Sequence, residues 1–262
     1  MTRPGETSGS GKEDPKSPGK EALRPPLSKR FYTAAAVEAR DGRYAILLDG
    51  RGVRTPAKGE LLVPDEALAS AIAAEWNAQG EHVDPASMPL TRLVNTAIDA
   101  VEARKGEVAD DIVAFAGSDL LCYRADAPEA LAERQAAAWN PILAWAARDL
   151  GCEFRLRAGL MPIDQPPETL QAVRAALVGA DALSLAALHV LTTIGGSALI
   201  AIAHWHDRLS VDDAWAAVTV DETWQREHWG RDSEAEAQAA MRRAEFEAAS
   251  RCLQLLRSRR SA

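Results

Sequence analysis

The spacing of apolar and polar residues changes character about a third of the way along the chain. Short apolar segments separated by turn residues come first, at 33–39, 43–48, 53–55 and 61–63. Asp41-Gly42 between the first two segments is a strong signal for a two-residue hairpin turn, so this part predicts a β-meander. A helix with Asp65 as its N-cap and Gly80 at its end is predicted to cover one face of that sheet.

After Pro85 and Pro89 the pattern becomes mostly helical. Helices are predicted at about 90–103, 105–117, 128–149, 168–178, 181–194, 197–207, 211–229 and 233–257. Segments 120–124 and 152–157 resemble short strands that either extend the first sheet or stand alone. The predicted fold class is therefore α+β, with a disordered tail at 1–30, a β-rich domain at 31–88 and an all-helical domain at 89–262.

One long stretch has no charged side chain. Asp181 and Asp207 enclose 25 residues that contain no Asp, Glu, Lys or Arg. Their length alone would permit a membrane span over 182–206. Gly195-Gly196 divides the stretch, so we expect two buried helices packed together, with the membrane span as the alternative.

Charge and cysteine content narrow the class of protein. The formal net charge is −8, which argues against a nucleic-acid partner and against binding an anionic membrane. Three widely spaced cysteines without a CxxC pair indicate reduced thiols and a reducing compartment. Residues 1–30 lack the apolar core of a secretory signal and are too acidic for an organellar presequence, so we expect a cytoplasmic, bacterial protein.

The segment 221–235 is the most unusual part of the sequence. On the helix predicted at 211–229, six residues share one stripe: Val211, Trp215, Val218, Glu222, Gln225 and Trp229. A carboxylate and an amide inside an apolar stripe need a partner, because burying an unpaired carboxylate is unfavourable. That partner lies either inside the chain or in another molecule. In either case, replacing Trp229 with alanine should destabilise the fold.

A search for catalytic chemistry finds little. The chain has no GxGxxG, GxxxxGK[ST], HExxH or GxSxG pattern. His204, His206 and Asp207 form the one cluster that suggests a metal-assisted hydrolase. On a helix the two imidazoles point about 200° apart and do not reach one ion, so this enzyme is kept only as the alternative function. Glu222, Glu227 and His228 likewise do not converge from one helix.

Three stretches together suggest a family. They are Arg30-Phe31-Tyr32 with the hairpin Leu47-Leu48-Asp49-Gly50-Arg51, then Ala74-Glu75-Trp76 with Met88-Pro89-Leu90-Thr91, then Asp221-Glu222, Gln225, Trp229-Gly230, Asp232 and Glu234-Ala235. In this order they resemble the assembly chaperones that act on the α subunit of the F-type ATP synthase catalytic head. The resemblance runs from about residue 30 to residue 256.

The resemblance implies a non-enzymatic protein that uses neither ATP nor a cofactor. Its partner would be the free α subunit, whose β-binding surface it shields, with no small-molecule substrate and no membrane insertion. The residues expected to contact that partner are Trp76, Glu222, Trp224, Gln225, Trp229, Asp232 and Glu234. Internal roles are the alternatives: Asp232 and Glu234 at the start of the last helix, where Ser233 and Glu236 fit a capping box, and Trp76 between its helix and the sheet.

Overall fold

A computed structural model describes residues 27–159, 161–230 and 232–260. The tail predicted for residues 1–30 lies mostly outside this range. Its last residues are ordered, because Ser28–Lys29 pairs with His82–Val83 in a two-stranded antiparallel sheet. The structure has small sheets in its N-terminal part and mostly helices in the rest, where one two-stranded sheet also occurs, which confirms the α+β class.

The N-terminal part contains six short strands. They are β1 Ser28–Lys29, β2 Ala35–Arg40, β3 Arg43–Leu48, β4 Arg51–Gly52, β5 Leu62–Val63 and β6 His82–Val83. Strand β3 pairs antiparallel with β2, β4 and β5. Asp41 and Gly42 both have positive φ (50° and 74°), as the two-residue hairpin turn requires, so the predicted hairpin is confirmed. The strand predicted at 53–55 lies two residues earlier, as β4.

Helix α1, Glu66–Asn77, packs on this sheet as predicted. The Asp65 side chain accepts the backbone N–H of Leu68 at 2.9 Å, which confirms the predicted N-cap. Leu68 and Ile72 point inward and are fully buried. The helix ends at Asn77, three residues before the predicted stop at Gly80.

The helical part follows with nine further helices among the described residues. They are α2 Pro89–Thr96, α3 Lys105–Gly117, α4 Glu129–Trp145, α5 Pro167–Ala176, α6 Ala182–Gly195, α7 Ala198–Trp205, α8 Val211–Val218, α9 Val220–Trp229 and α10 Ser233–Arg260. A π-helical turn at Ala97–Val101 and a 3₁₀ turn at Glu102–Arg104 join α2 to α3. A second π-helical turn, Ala146–Leu150, extends α4. These turns account for the longer helices predicted at 90–103 and 128–149.

The uncharged stretch forms a buried hairpin of α6 and α7. Gly196 ends α6 in the left-handed conformation (φ 69°), and Ser197 caps α7 by accepting the N–H of Ile200 at 3.0 Å. A Cβ atom at Gly195 would lie 2.7 Å from Cγ1 of Val218 on α8, so this close approach requires glycine. Within the residues described, no helix combines the length and apolar character that crossing a membrane requires.

Two predicted elements differ from the structure. Segments 120–124 and 152–157 contribute only Tyr123–Arg124 (β7) and Arg157–Ala158 (β8), which pair in parallel with each other and do not join the N-terminal sheet. The helix predicted at 211–229 is interrupted at Thr219, which separates α8 from α9. The six-residue stripe therefore does not exist as one face.

One continuous apolar core connects the sheet to the helices. It contains Ile46 from β3, Ile72 from α1, Leu199 from α7 and Phe246 from α10, each fully buried. Helix α6 contacts α3, α7 and α10 and lies at the centre of the helical part. The domain boundary placed at residues 88 and 89 stays a prediction.

Candidate functional site at the corner between α9 and α10

The last two helices meet at a sharp corner, residues 222–242, called the α9–α10 corner below. Helix α9 ends at Trp229, Gly230 turns the chain with φ 92°, and α10 begins at Ser233. A groove of about 470 Å³ runs between the two helices. Side chains that line it include Glu222, Gln225, Trp229, Asp232, Glu236 and Arg242. The structure thus brings four of the seven predicted partner-binding residues to one groove.

Glu222 has an internal partner. Both of its carboxylate oxygens accept hydrogen bonds from Nη2 of Arg242 on α10, at 2.7 and 2.9 Å. The guanidinium of Arg242 also lies 5.8 Å from the ring centre of Trp215, which packs edge-on against Phe246. Trp215 therefore belongs to the core side of the corner, and the ion pair joins α9 to α10.

Two other acidic residues of α9 are tied to α4. Asp221 accepts a hydrogen bond from Nε2 of Gln135 at 2.8 Å. Glu227 pairs with the guanidinium of Arg134, with one N–O distance of 3.0 Å. This hydrogen bond lowers the pKa of Glu227 below its ordinary value. Both contacts fix α9 against the body of the protein.

Asp232 caps the last helix. Its side chain accepts the backbone N–H of Glu234 at 2.9 Å, and its carbonyl accepts the N–H of Glu236 at 2.9 Å. The predicted capping box placed Ser233 in this role, which was wrong by one residue because Ser233 already lies in the helix. The cap explains why an acidic residue stands at this position.

Three exposed residues of the corner are Trp229, Gln225 and Glu234. Trp229 is 78% exposed, among the most exposed large apolar side chains of the described chain. This exposure argues against the expectation that Trp229→Ala destabilises the fold. The Gln225 side chain is exposed and forms no hydrogen bond with the described residues. Among the described residues, the one side-chain contact of exposed Glu234 is long, 3.5 Å from Nε2 of Gln238.

Trp224 and Trp76 lie outside this groove. Trp224 is half-buried and stacks on the imidazole of His228, with ring centres 4.0 Å apart. Trp76 belongs to α1 and packs against the ring of Tyr32 at 5.6 Å. The hydroxyl of Tyr32 donates to the Trp76 carbonyl at 2.6 Å, so Trp76 is held at the sheet.

A further structural role, at Glu75, was not found from the sequence. The Glu75 carboxylate accepts the backbone N–H groups of Leu90 and Thr91, each at 2.8 Å, and the Thr91 hydroxyl at 2.7 Å. It therefore caps the N-terminus of α2 from another helix. The caps recognised in sequence precede their helices directly, whereas Glu75 lies 15 residues before Leu90.

The alternative metal site is not formed. Nδ1 of His204 contacts the Leu209 carbonyl at 2.9 Å and Nε2 contacts Oγ of Ser250 at 2.8 Å, so both ring nitrogens are occupied. Asp207 pairs instead with Arg257. No group of three or more metal-ligating residues is assembled anywhere in the described ranges. The hydrolase built on His204, His206 and Asp207 is therefore excluded by geometry.

The three thiols are unsuited to nucleophilic chemistry. All three are buried and unpaired with each other. Burial raises the pKa of Cys122 and Cys252 to about 12 and that of Cys152 to about 11. They would be thiols rather than thiolates near neutral pH, which is typical of structural cysteines.

A comparison with known protein families gives a match in the first part of the chain. Residues 29–147 match the family model described as ATP12 chaperone protein. The mitochondrial protein atp12 of Schizosaccharomyces pombe is 26% identical over 220 residues, covering 79% of this chain and 76% of that protein.

Solved structures extend the similarity to most of the chain. The crystal structure of Atp12 from Paracoccus denitrificans is 43% identical, with a TM-score of 0.80, and covers 87% of this chain and 98% of its own. The Atu1473 protein from Agrobacterium tumefaciens is also 43% identical, with a TM-score of 0.84 and 92% coverage of both chains. Because the 43% identity extends over 98% of the Paracoccus chain, the two proteins share more than an overall fold.

Proposed function

Because the chain belongs to the ATP12 family of chaperones for ATP synthase assembly, we propose that its client is the free α subunit of the F-type catalytic head. The proposed role is to cover the α-subunit surface that later meets the β subunit. An obligate interface is large and apolar, so a free subunit that exposes it tends to aggregate. The proposed setting is the bacterial cytoplasm.

The observation that carries this proposal is the exposed indole of Trp229 at the α9–α10 corner. A large aromatic side chain in water gives no stability to its own fold but supplies much apolar area to a partner. It projects beside a groove whose shape is fixed by the Glu222–Arg242 ion pair. A site that is already formed before binding loses less entropy when the partner arrives.

Polar groups around the indole suit reversible holding. The Gln225 amide lines the groove and the Glu234 carboxylate is exposed at the start of α10, where each can bond to backbone or basic groups of the client. Such rim contacts contribute modestly to affinity and mainly fix orientation. Glu222 and Asp232 act in this proposal through the shape of the corner, and any direct contact to the client is additional.

No catalytic step enters the proposal. It requires no nucleotide and no metal, since binding and release follow from the competing interface of the β subunit. Trp224 supports the corner from behind through its stack on His228. Trp76 is assigned to a second surface, described below.

The test is suppression of aggregation of the isolated α subunit at an equimolar ratio. Wild-type protein should keep the subunit in solution, and Trp229→Ala should weaken this effect about tenfold or more in the concentration required, as expected for loss of an aromatic anchor. The melting temperature of Trp229→Ala should stay close to wild type because the side chain is 78% exposed. A substantial loss of stability would contradict the assignment of Trp229 to the surface.

Val178→Ala provides the matched control. Val178 is 79% exposed, the same fraction as Trp229 within a percentage point, and lies just after α5, outside the corner. This variant should hold the α subunit like wild type. If wild-type protein itself leaves aggregation unchanged, the client is not the α subunit.

A further inference from the structure

A second surface with different chemistry lies beside the N-terminal sheet. A cleft of about 580 Å³, called the sheet cleft below, has among its lining residues Phe31, Tyr32, Leu48, Arg51, Arg54 and Trp76. Phe31 meets Tyr32 edge-on at 5.4 Å, and Tyr32 meets Trp76 edge-on at 5.6 Å, so three aromatic rings form one wall. Phe31 is 74% exposed, which leaves the outer end of this wall open to solvent.

The rim of the sheet cleft is basic. Arg51 and Arg54 are exposed, and neither forms an ion pair with the described residues. Arg30 adds a third positive charge 4.6 Å from the Tyr32 ring centre, and its guanidinium donates only to backbone carbonyls. A chain with a net charge of −8 therefore presents a local positive site.

Among the described residues that line this cleft, Asp49 carries the one carboxylate, and backbone N–H groups already donate to it. Asp49 accepts the backbone N–H groups of Thr33 and Ala34, at 2.9 and 3.0 Å for the shorter contacts. These hydrogen bonds hold the pKa of Asp49 below its ordinary value. Asp49 fixes the turn. The nearby charges of Arg30 and Arg51 lower its pKa further, but Asp49 forms no ion pair with either arginine among the described residues.

We propose that the sheet cleft docks an acidic segment of a partner protein that also carries an aromatic side chain. The aromatic ring of the partner would pack against Phe31 and the open wall, since edge-to-face ring pairs add to area burial. Its carboxylates would pair with Arg51 and Arg54, whose guanidinium groups suit carboxylates geometrically. This surface is independent of the α9–α10 corner and of the identity of the client.

Nucleic acid is the less suitable occupant, although bases also stack on aromatic rings. Binding a phosphate backbone usually relies on many basic side chains, whereas this rim offers Arg51 and Arg54, and Nη1 of Arg54 already donates to the Lys58 carbonyl at 2.9 Å. The acidic remainder of the chain would repel a long polyanion. A short acidic peptide segment would contact the positively charged cleft without extending over the acidic surface around it.

The experiment measures binding of a fluorescently labelled copolymer of glutamate and tyrosine by anisotropy at low salt. Wild-type protein should bind it, and affinity should fall about tenfold in Arg51→Glu and about fivefold or more in Phe31→Ala. The matched control is Arg43→Glu, which makes the same charge change at an exposed position on β3 outside the cleft. It should alter affinity less than twofold.

Each contrary outcome is informative. Absence of wild-type binding, an equal loss in Arg43→Glu, or equal affinity for polyglutamate without tyrosine would overturn the proposal. Tighter binding of single-stranded oligothymidine than of the copolymer would also overturn it in favour of nucleic acid. Trp229→Ala should bind the copolymer normally, so failure of the sheet cleft and failure of the α-subunit assay are separate results.

Discussion

All eight residues of α7 are buried, whereas α9 buries only Val220 among its ten. The α6–α7 hairpin has no charged side chain and fills the centre of the core. The α9–α10 corner is rich in acids and arginines, and most of them face water or each other. The α6–α7 hairpin therefore contributes mainly to the stability of the fold, whereas the α9–α10 corner mainly forms exposed surface.

This division has an energetic reason. Buried apolar side chains contribute most of the free energy of folding, and a cavity among them is expensive. Ion pairs between exposed residues, such as Glu222–Arg242, contribute little by themselves. Exposed residues at the corner can therefore change in chemical character with little effect on the stability of the fold.

The largest change in the free energy of unfolding is expected from a substitution in the α6–α7 hairpin. Leu199→Ala removes a fully buried side chain of α7 and should lower the free energy of unfolding by about 2–5 kcal/mol. Urea unfolding followed by far-UV circular dichroism measures the change. Val178→Ala, at an exposed position, should change it by less than about 0.5 kcal/mol. Similar losses in both variants would mean that the hairpin is not the stability centre.

The hairpin was predictable from sequence because local composition determines it. A stretch of twenty-five residues without charge is expected in the interior of the protein, and Gly195-Gly196 marks the turn within it. The β2–β3 hairpin and the α1 cap were predictable for the same reason. Asp41-Gly42 and Asp65 act on residues within a few positions, so their consequences are visible in the sequence.

The corner was only partly predictable because its contacts are long-range. The break at Thr219 between α8 and α9 has no glycine or proline signal in the sequence. The partner of Asp221 lies 86 residues away, at Gln135, and that of Glu222 lies 20 residues away, at Arg242. A helical wheel contains no information about either partner. It therefore placed on one face residues that the structure divides between α8 and α9.

A second prediction concerns a buried carboxylate that joins the hairpin to its surroundings. Asp119 is fully buried and accepts the backbone N–H groups of Leu121 at 3.1 Å and Leu199 at 3.0 Å. In Asp119→Asn the amide nitrogen would face one of these donors. Leaving a buried donor unsatisfied should lower the free energy of unfolding by about 1–3 kcal/mol at neutral pH.

The penalty of Asp119→Asn should depend on pH. Burial raises the folded-state pKa of Asp119 from 3.8 to about 6, so between these values the folded state binds more protons than the unfolded state. Its contribution to stability is therefore fully present below about pH 4 and is lost as the pH rises through 6. Asparagine has no such titration, so the difference between wild type and variant should be larger at pH 4.5 than at pH 7. Urea midpoints at both values test this, and a difference that grows with pH would contradict it.

The smallest effect on stability is expected for Glu234→Gln at the corner. Glu234 is exposed, and among the described residues its side chain makes only a 3.5 Å contact with Gln238, so the free energy of unfolding should change by less than about 0.5 kcal/mol. If Glu234 faces a basic group of the α subunit, the variant should slow association and reduce its salt dependence, as rim charges do. Glu66→Gln, in the first turn of α1, is the matched control because it removes an acid from the same part of another exposed helix start. A large drop in melting temperature for Glu234→Gln alone would show that this carboxylate supports α10, and the corner would then serve the fold more than the client.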